Sequence, residues 1–337
     1  MIVEEMILEG DFIETVEKLI FDVKGLVHPP DRVIAYIRYM PDENGDRVRE
    51  GTRYRKIYSL REREKFLREK YPHYLYRDPV FNTFLQAVPV RYISRVYKPS
   101  ERLRKMLESS QLDEIEKSAL KLALLIKEKA GLALESIGVT GSILVKLHKE
   151  DSDIDLVVIG EREGRKVYEA MEELFNENSV QRYGTEELWR LYEFRSKDTP
   201  MSFEDFVKIE RRKVLQGLFE NKDFYIRLVK KPEEYGEKYG DRIYTPLKEA
   251  RIKARVLNAE DSIFTPCRYV VDVLKGDSKI EEIASYRGRF CEVAKDGEVV
   301  EARGKLEKVI DRKRGIYYRL LLGSSREDYM ILLKSTT

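Results

Sequence analysis

The stretch "GVTGSILVKLHKEDSDIDLVVIG", residues 138–160, sets Asp153 and Asp155 one residue apart within an apolar run. A strand alternates its faces with period two, so Ile154, Leu156 and Val158 point toward a core. Asp153 and Asp155 then stand side by side on the other face. Like charges this close repel, and each raises the other's pKa. A divalent cation is the usual agent that offsets such repulsion, so the pair reads as a metal-binding element. The plainer alternative is an edge strand with two exposed aspartates.

Upstream of the pair, a short strand ends at Thr140 and is followed by Gly141, Ser142 and a segment able to start a helix. Gly-Ser, a spacer and then Ser-Asp-Ile-Asp on the next strand resembles the signature of the DNA polymerase β-type nucleotidyltransferase superfamily. The chain as a whole resembles an archaeal group of predicted nucleotidyltransferases of unknown substrate. The resemblance implies an α+β fold: a polymerase-β-like core, a mixed sheet with helices, between a β-rich N-terminal and a β-rich C-terminal domain. It also implies magnesium, two ions with manganese as a substitute, held by Asp153 and Asp155. Gly141 would permit close backbone approach, and Ser142 with its amide would hold a triphosphate oxygen.

The superfamily usually carries a third carboxylate on a later strand of the same sheet. In "DFYIRLV", Phe224, Ile226 and Leu228 form the apolar face, and Asp223, Tyr225 and Arg227 share the other. Asp223 is the third-carboxylate candidate, as metal ligand or as general base toward the acceptor hydroxyl. Glu220 is the fallback. Arg227 and the spacer residue Lys146 are candidate nucleotide contacts; many relatives carry arginine in that spacer. The implied reaction moves a nucleoside monophosphate from a nucleoside triphosphate to a hydroxyl on an RNA or DNA end, a protein or a small molecule. The alternative is a non-catalytic nucleotide- or nucleic-acid-binding protein on a degenerate version of the fold.

The elements that must position these groups follow from periodicity. "PSERLRKMLESS" and "LDEIEKSALKLALLIKEKAG" read as helices, the second ending at Gly131. "GRKVYEAMEELFNEN", "TEELWRLYEFRSKD" and "SFEDFVKIERRKVLQGLFEN" read as three more, the last capped by Ser202. Residues 1–98 look β-rich with one short exposed helix, "REREKFLREK". Residues 99–231 make the nucleotidyltransferase segment. Residues 232–337 are short alternating runs, with a hairpin signal at Asp296-Gly297, and read as a small barrel or sandwich. The basic run "IDRKRGIYYR" there is the candidate surface for a nucleic-acid acceptor.

Composition narrows the rest. The 337 residues carry 63 Lys plus Arg against 61 Asp plus Glu, so no global field draws the chain to nucleic acid or membrane. Charged residues are 37%, finely mixed, as in thermophile surfaces laced with ion-pair networks. Two cysteines exclude a disulfide framework, and three histidines nearly exclude multi-histidine metal sites. The acidic start is unlike a signal peptide, and no apolar run reaches the ~18 residues needed to span a bilayer. No membrane partner and a cytoplasmic location are expected. Nothing in the sequence fixes the oligomeric state.

Overall fold

The computed structural model describes residues 6–333. The first five residues of the acidic start, and Lys334 in "YMILLK", lie outside them. Contacts gather the chain into two compact units, neither of them contiguous in sequence. One holds the residues to Asp78, Thr83–Val180 and Leu218–Tyr239; the other holds Pro79–Asn82, Gln181–Gly217 and the residues from Gly240 onward. The sequence reading cut the chain into three consecutive segments instead. The N-terminal β structure and the sheet bearing Asp155 fall in one unit.

The heart of the first unit is a four-stranded sheet in the order Gln216–Phe219, Lys222–Val229, Ile154–Ile159, Ile137–Val139. The Asp155 strand runs parallel to Lys222–Val229 and antiparallel to Ile137–Val139. One face is covered by the helices Glu114–Lys129 and Glu161–Asn176. The first of these starts at a capping box, in which Asp113 accepts from the Glu116 amide at 2.9 Å and Glu116 reaches back to the Asp113 amide at 3.2 Å. Its apolar stripe, Ile115, Ala119, Leu122, Ala123 and Ile126, is fully buried. Ile154, Leu156, Val158, Phe224, Ile226 and Leu228 meet these helices and are at most 1% exposed. Each such side chain stabilises the unit by about 1.5–3 kcal/mol.

The other face is covered by the N-terminal sheet, which includes the strands Phe12–Thr15, Ile20–Val23, Arg32–Pro41 and Thr52–Lys56. Phe12, Ile20, Tyr39 and Tyr54 pack with Leu144, Val145 and Leu147 of the spacer. The helix Leu60–Lys70 is less exposed than its composition suggests, since Arg63 and Leu67 are buried.

In the second unit, strands Arg242–Asn258, Cys267–Lys275, Ile280–Ser285, Val299–Asp311 and Gly315–Leu322 close a barrel. The order is first-second-third-fifth-fourth, with the fourth returning to the first. Only the third and fifth run parallel. Tyr329–Leu332 extends the fourth strand's edge. Cys267 and Cys291 are free thiols in the barrel core, packed as small apolar residues.

Two expectations need correction. The helix begun at Ser202, whose hydroxyl accepts from the Asp205 amide, ends at Glu210, and Gln216–Phe219 is a strand. Val214 and Leu215 are drawn into the core, and Glu220 and Asn221, both with positive φ, turn the chain into the next strand. Asp296-Gly297 does turn the chain, yet residues 291–295 form no strand. The Gly297 amide bonds to Val256 O, so the pairing partner is the barrel's distant first strand. No helix among the described residues is long and apolar enough to cross a membrane.

Candidate active site

Gly141 sits in the left-handed region with φ +66°, at the start of the one-turn helix Gly141–Leu144. A Cβ there would overlap the Asp155 carboxylate and lie 2.9 Å from Asp155 Cβ. Both the backbone angle and the close approach therefore require glycine. The Thr140 amide donates to Asp155 O at 2.9 Å, and the Leu147 amide to Ser142 O at 2.9 Å, tying the turn to the strand and to the spacer. Ser142 is buried, and Lys146 is exposed with φ +54°.

The parallel register pairs Ile154 with Phe224, Asp155 with Tyr225 and Val157 with Arg227. Asp153 and Asp223 each precede the first of these pairs by one residue. Period-two alternation thus sets Asp153, Asp155, Asp223, Tyr225 and Arg227 on the face opposite the helices. Asp153 is exposed, while Asp155 and Asp223 are partly buried. Burial pushes the Asp155 carboxyl up, and Arg227, Lys56 and Arg38 pull it back down. Asp155 therefore lies among three cations, two of them from the N-terminal sheet.

Further along that face the sheet is closed. Arg227 Nη1 lies 2.6 Å from Glu9 Oε1 and 3.8 Å from Asp22 Oδ1. Lys24 bridges the same two acids at 3.1 and 2.9 Å, and the Gly25 amide donates to Glu9 Oε2 at 2.5 Å. Glu9 is fully buried, and Val157 packs against Gly10. The face expected to be open is covered at Arg227, which two acids hold, while Asp153 is its exposed aspartate. Glu220, the fallback carboxylate, sits in the hairpin turn. It accepts from Ser118 Oγ at 2.6 Å and Lys121 Nζ at 2.8 Å.

Among the described residues, one trio of side chains brings ligating atoms within 4.8 Å of one another, namely Asp113, Glu116 and His148. The three aspartates of the motif do not form such a trio. The Asp113 cluster is a candidate metal-binding cluster by distance, and its members already serve structure. Asp113 and Glu116 form the capping box, Glu116 also pairs with Arg102, and His148 Nε2 lies 2.7 Å from Asp113 Oδ2.

Sequence reasoning missed Glu9, Asp22, Arg38 and Lys56, because no spacing links them to the Asp-x-Asp motif. The capping box was readable in "DEIE"; the approach of His148 to it was not.

Residues 120–215 match the nucleotidyltransferase domain family. The chain is 35% identical over 334 residues to an uncharacterized protein of Methanocaldococcus jannaschii, an alignment covering 96% of this chain and 97% of that one. No solved structure matches the chain. With its Gly-Ser turn pressed against Asp155 in a mixed sheet, the chain belongs to the polymerase-β-like nucleotidyltransferase superfamily.

Proposed function

We propose that this protein is a magnesium-dependent nucleotidyltransferase. The acceptor hydroxyl oxygen bonds to the α-phosphorus of a nucleoside triphosphate, the bond from that phosphorus to the bridging oxygen breaks, and pyrophosphate leaves. The acceptor's proton passes to a carboxylate, for which Asp223 is the candidate base. Asp153, Asp155 and Asp223 would hold the metal, magnesium or manganese. The donor set of hard oxygens fits such an ion, as does the cradle at Gly141 that admits no Cβ beside Asp155. When bound, the metal would neutralise phosphate charge and favour ionisation of the attacking hydroxyl. Gly141 and Ser142 are assigned to the triphosphate, with the exposed Lys146 in the same loop. Arg227 is assigned to the same face, where Glu9 and Asp22 hold it.

The observation that carries this reading is the fit of the left-handed Gly141, in the turn after one strand, against the Asp155 carboxylate on the strand beside it. The acceptor class favoured is a nucleic-acid end. A five-stranded barrel of this strand order is one that binds oligonucleotides, and the basic run Arg312–Arg314 forms its fourth-to-fifth turn.

The test is pyrophosphate release and label transfer from each α-labelled ribo- and deoxyribonucleoside triphosphate, with RNA, DNA, protein and metabolite pools offered in turn. Transfer that disappears in Asp153→Asn with Asp155→Asn is the expected result. The rival reading is nucleotide binding without turnover, which an Asp223 pointing away from Asp153 and Asp155 would favour. Binding of triphosphate with no pyrophosphate from any pool would select that rival.

A further inference from the structure

The N-terminal sheet contains a β-bulge beside the carboxylate face. Ile20 pairs with Tyr39 while the next residue, Phe21, pairs with Ile37, so Arg38 is the extra residue on its strand. A bulge re-aims the side chains that flank it. Ile37 enters the N-terminal core, whereas Tyr39 packs in the cluster with Leu144, Val145 and Leu147. Lys56 pairs directly across from Tyr39 and so shares its face. Arg47 lies 5.7 Å from the centre of the Tyr39 ring and donates to Leu147 O, with its buried Nε left without a partner.

Three cations thus crowd one aromatic ring next to Asp155. Arg38 and Lys56 are half-buried, and among the described residues neither makes an ion pair. Lys56 Nζ lies 4.9 Å from the centre of the Tyr58 ring. In a chain that pairs so many of its charges, even on exposed helices, two unpaired half-buried cations are costly. Burial, then the Arg38 charge, brings Lys56 down to about 8, and Asp155 acts against them. The acids nearby have other work. Glu9 and Asp22 are held by Lys24 and Arg227, and Asp153 and Asp155 are assigned to the metal. What the cations lack is an anion from outside.

We infer that Arg38 and Lys56 form the wall that holds the triphosphate tail, so that the N-terminal sheet is part of the nucleotide site. The inference rests on the nucleotidyltransferase reading. It adds phosphate contacts from strands about 100 residues away from the Gly-Ser turn (Arg38 to Gly141). A triphosphate brings several negative charges, and guanidinium and ammonium groups bind them by charge-assisted hydrogen bonds.

The experiment uses the full chain with Arg38→Gln, Lys56→Gln and, as a control for lost charge, Lys65→Gln; Lys65 is 73% exposed on an outer helix. Calorimetry is run with each magnesium nucleoside triphosphate and with inorganic tripolyphosphate, and melting is followed with magnesium alone. Each wall variant is expected to weaken both anions by about tenfold or more. The magnesium-only melting shift should be unchanged, and the ligand-free variants should melt no lower than the parent. The control should bind as the parent does. If the wall variants bind both anions like the parent, the wall is refuted and the nucleotidyltransferase reading stands. If the parent takes tripolyphosphate but no nucleoside triphosphate, and the variants lose it, the wall stands and that reading fails. If the parent binds neither, both fail.

Discussion

Arg227 on the strand beside Asp155 and Glu9 near the N-terminus are ion-paired at 2.6 Å across 218 positions of sequence. Glu9 is fully buried and also holds Lys24 and the Gly25 amide. Glu9→Gln keeps an acceptor for the amide but leaves two cations underpaired. A loss of about 3 kcal/mol is expected on denaturant unfolding. Adding Arg227→Met should recover part of it; a double variant as unstable as the sum of the single changes would show that the pair is not coupled.

Gly141→Ala tests the turn. Gly131 provides the reference, since it has a similar φ of +60° but nothing within 4 Å of an added Cβ. Gly131→Ala should cost only backbone strain, about 1 kcal/mol. Gly141→Ala adds the collision with Asp155 and should cost about 2–4 kcal/mol. Asp155→Ala in the Gly141→Ala background should return only part of the excess, because it removes the carboxylate but keeps the Cβ 2.9 Å away. Equal costs at the two glycines would mean that the turn gives way and the close fit is unimportant.

The metal prediction concerns melting. Magnesium or manganese should raise the melting temperature by preferential binding to the folded chain. Asp153→Asn with Asp155→Asn should abolish the rise without unfolding the protein, because it also removes a carboxylate that burial disfavours. A shift that persists in this variant but vanishes in His148→Ala would relocate the ion to the Asp113 cluster.

Glu292 sets a pH dependence in the second unit. It is 8% exposed and accepts from the Val214 amide at 2.8 Å. Burial pushes its carboxyl up from 4.5 to about 7, against the pull of that amide and of Lys213. The folded chain therefore holds this proton more tightly than the unfolded one. The contribution is full below pH 4.5, declines as pH rises from there, and is gone above about 7. Glu292→Gln should be more stable than the parent at pH 8 by on the order of 1–3 kcal/mol, with the gap closing toward pH 4.5. A gap that does not change with pH would refute the assignment.

The basic turn of the barrel is less available than its sequence suggests. Arg314 pairs with Glu281 at 2.5 Å and stacks 4.2 Å from the Tyr317 ring. Arg312 is 75% exposed and 3.7 Å from Asp241. If the acceptor is single-stranded nucleic acid, changing Arg312, Lys313 and Arg314 to Gln should lower the salt slope of its binding by about 1.4. That is two effective charges at ~0.7 each. An unchanged slope would remove nucleic acid as the acceptor bound there.

Elements whose cause is local were legible in the sequence. The helix Glu114–Lys129 announces itself through its capping box and Gly131, and both strands of the carboxylate face show clean alternation. What failed was nonlocal. Val214 and Leu215 continue a helical pattern but are claimed by packing, and Asp296-Gly297 turns toward a strand 41 residues upstream (Gly297 to Val256). In the site, Gly141 and the aspartates form a readable motif. Arg38 is invisible because its role depends on a bulge, which is a property of two strands' registers and not of one strand's sequence.

The separation between Glu9 and Arg227 also bears on how the chain is made. At ~5–20 residues per second, a ribosome needs about 10–40 s to deliver Arg227 after Glu9. Until then the N-terminal sheet's acidic flank, Glu9 and Asp22, has Lys24 but lacks its second cation, and water can solvate it. Its adhesive flank, Phe12, Ile20, Tyr39 and Tyr54, is served much sooner, because Leu144, Val145 and Leu147 emerge well before Arg227. The nascent chain can thus hide its greasy surface first and complete its ionic lock last, an order that shortens its exposure to aggregation.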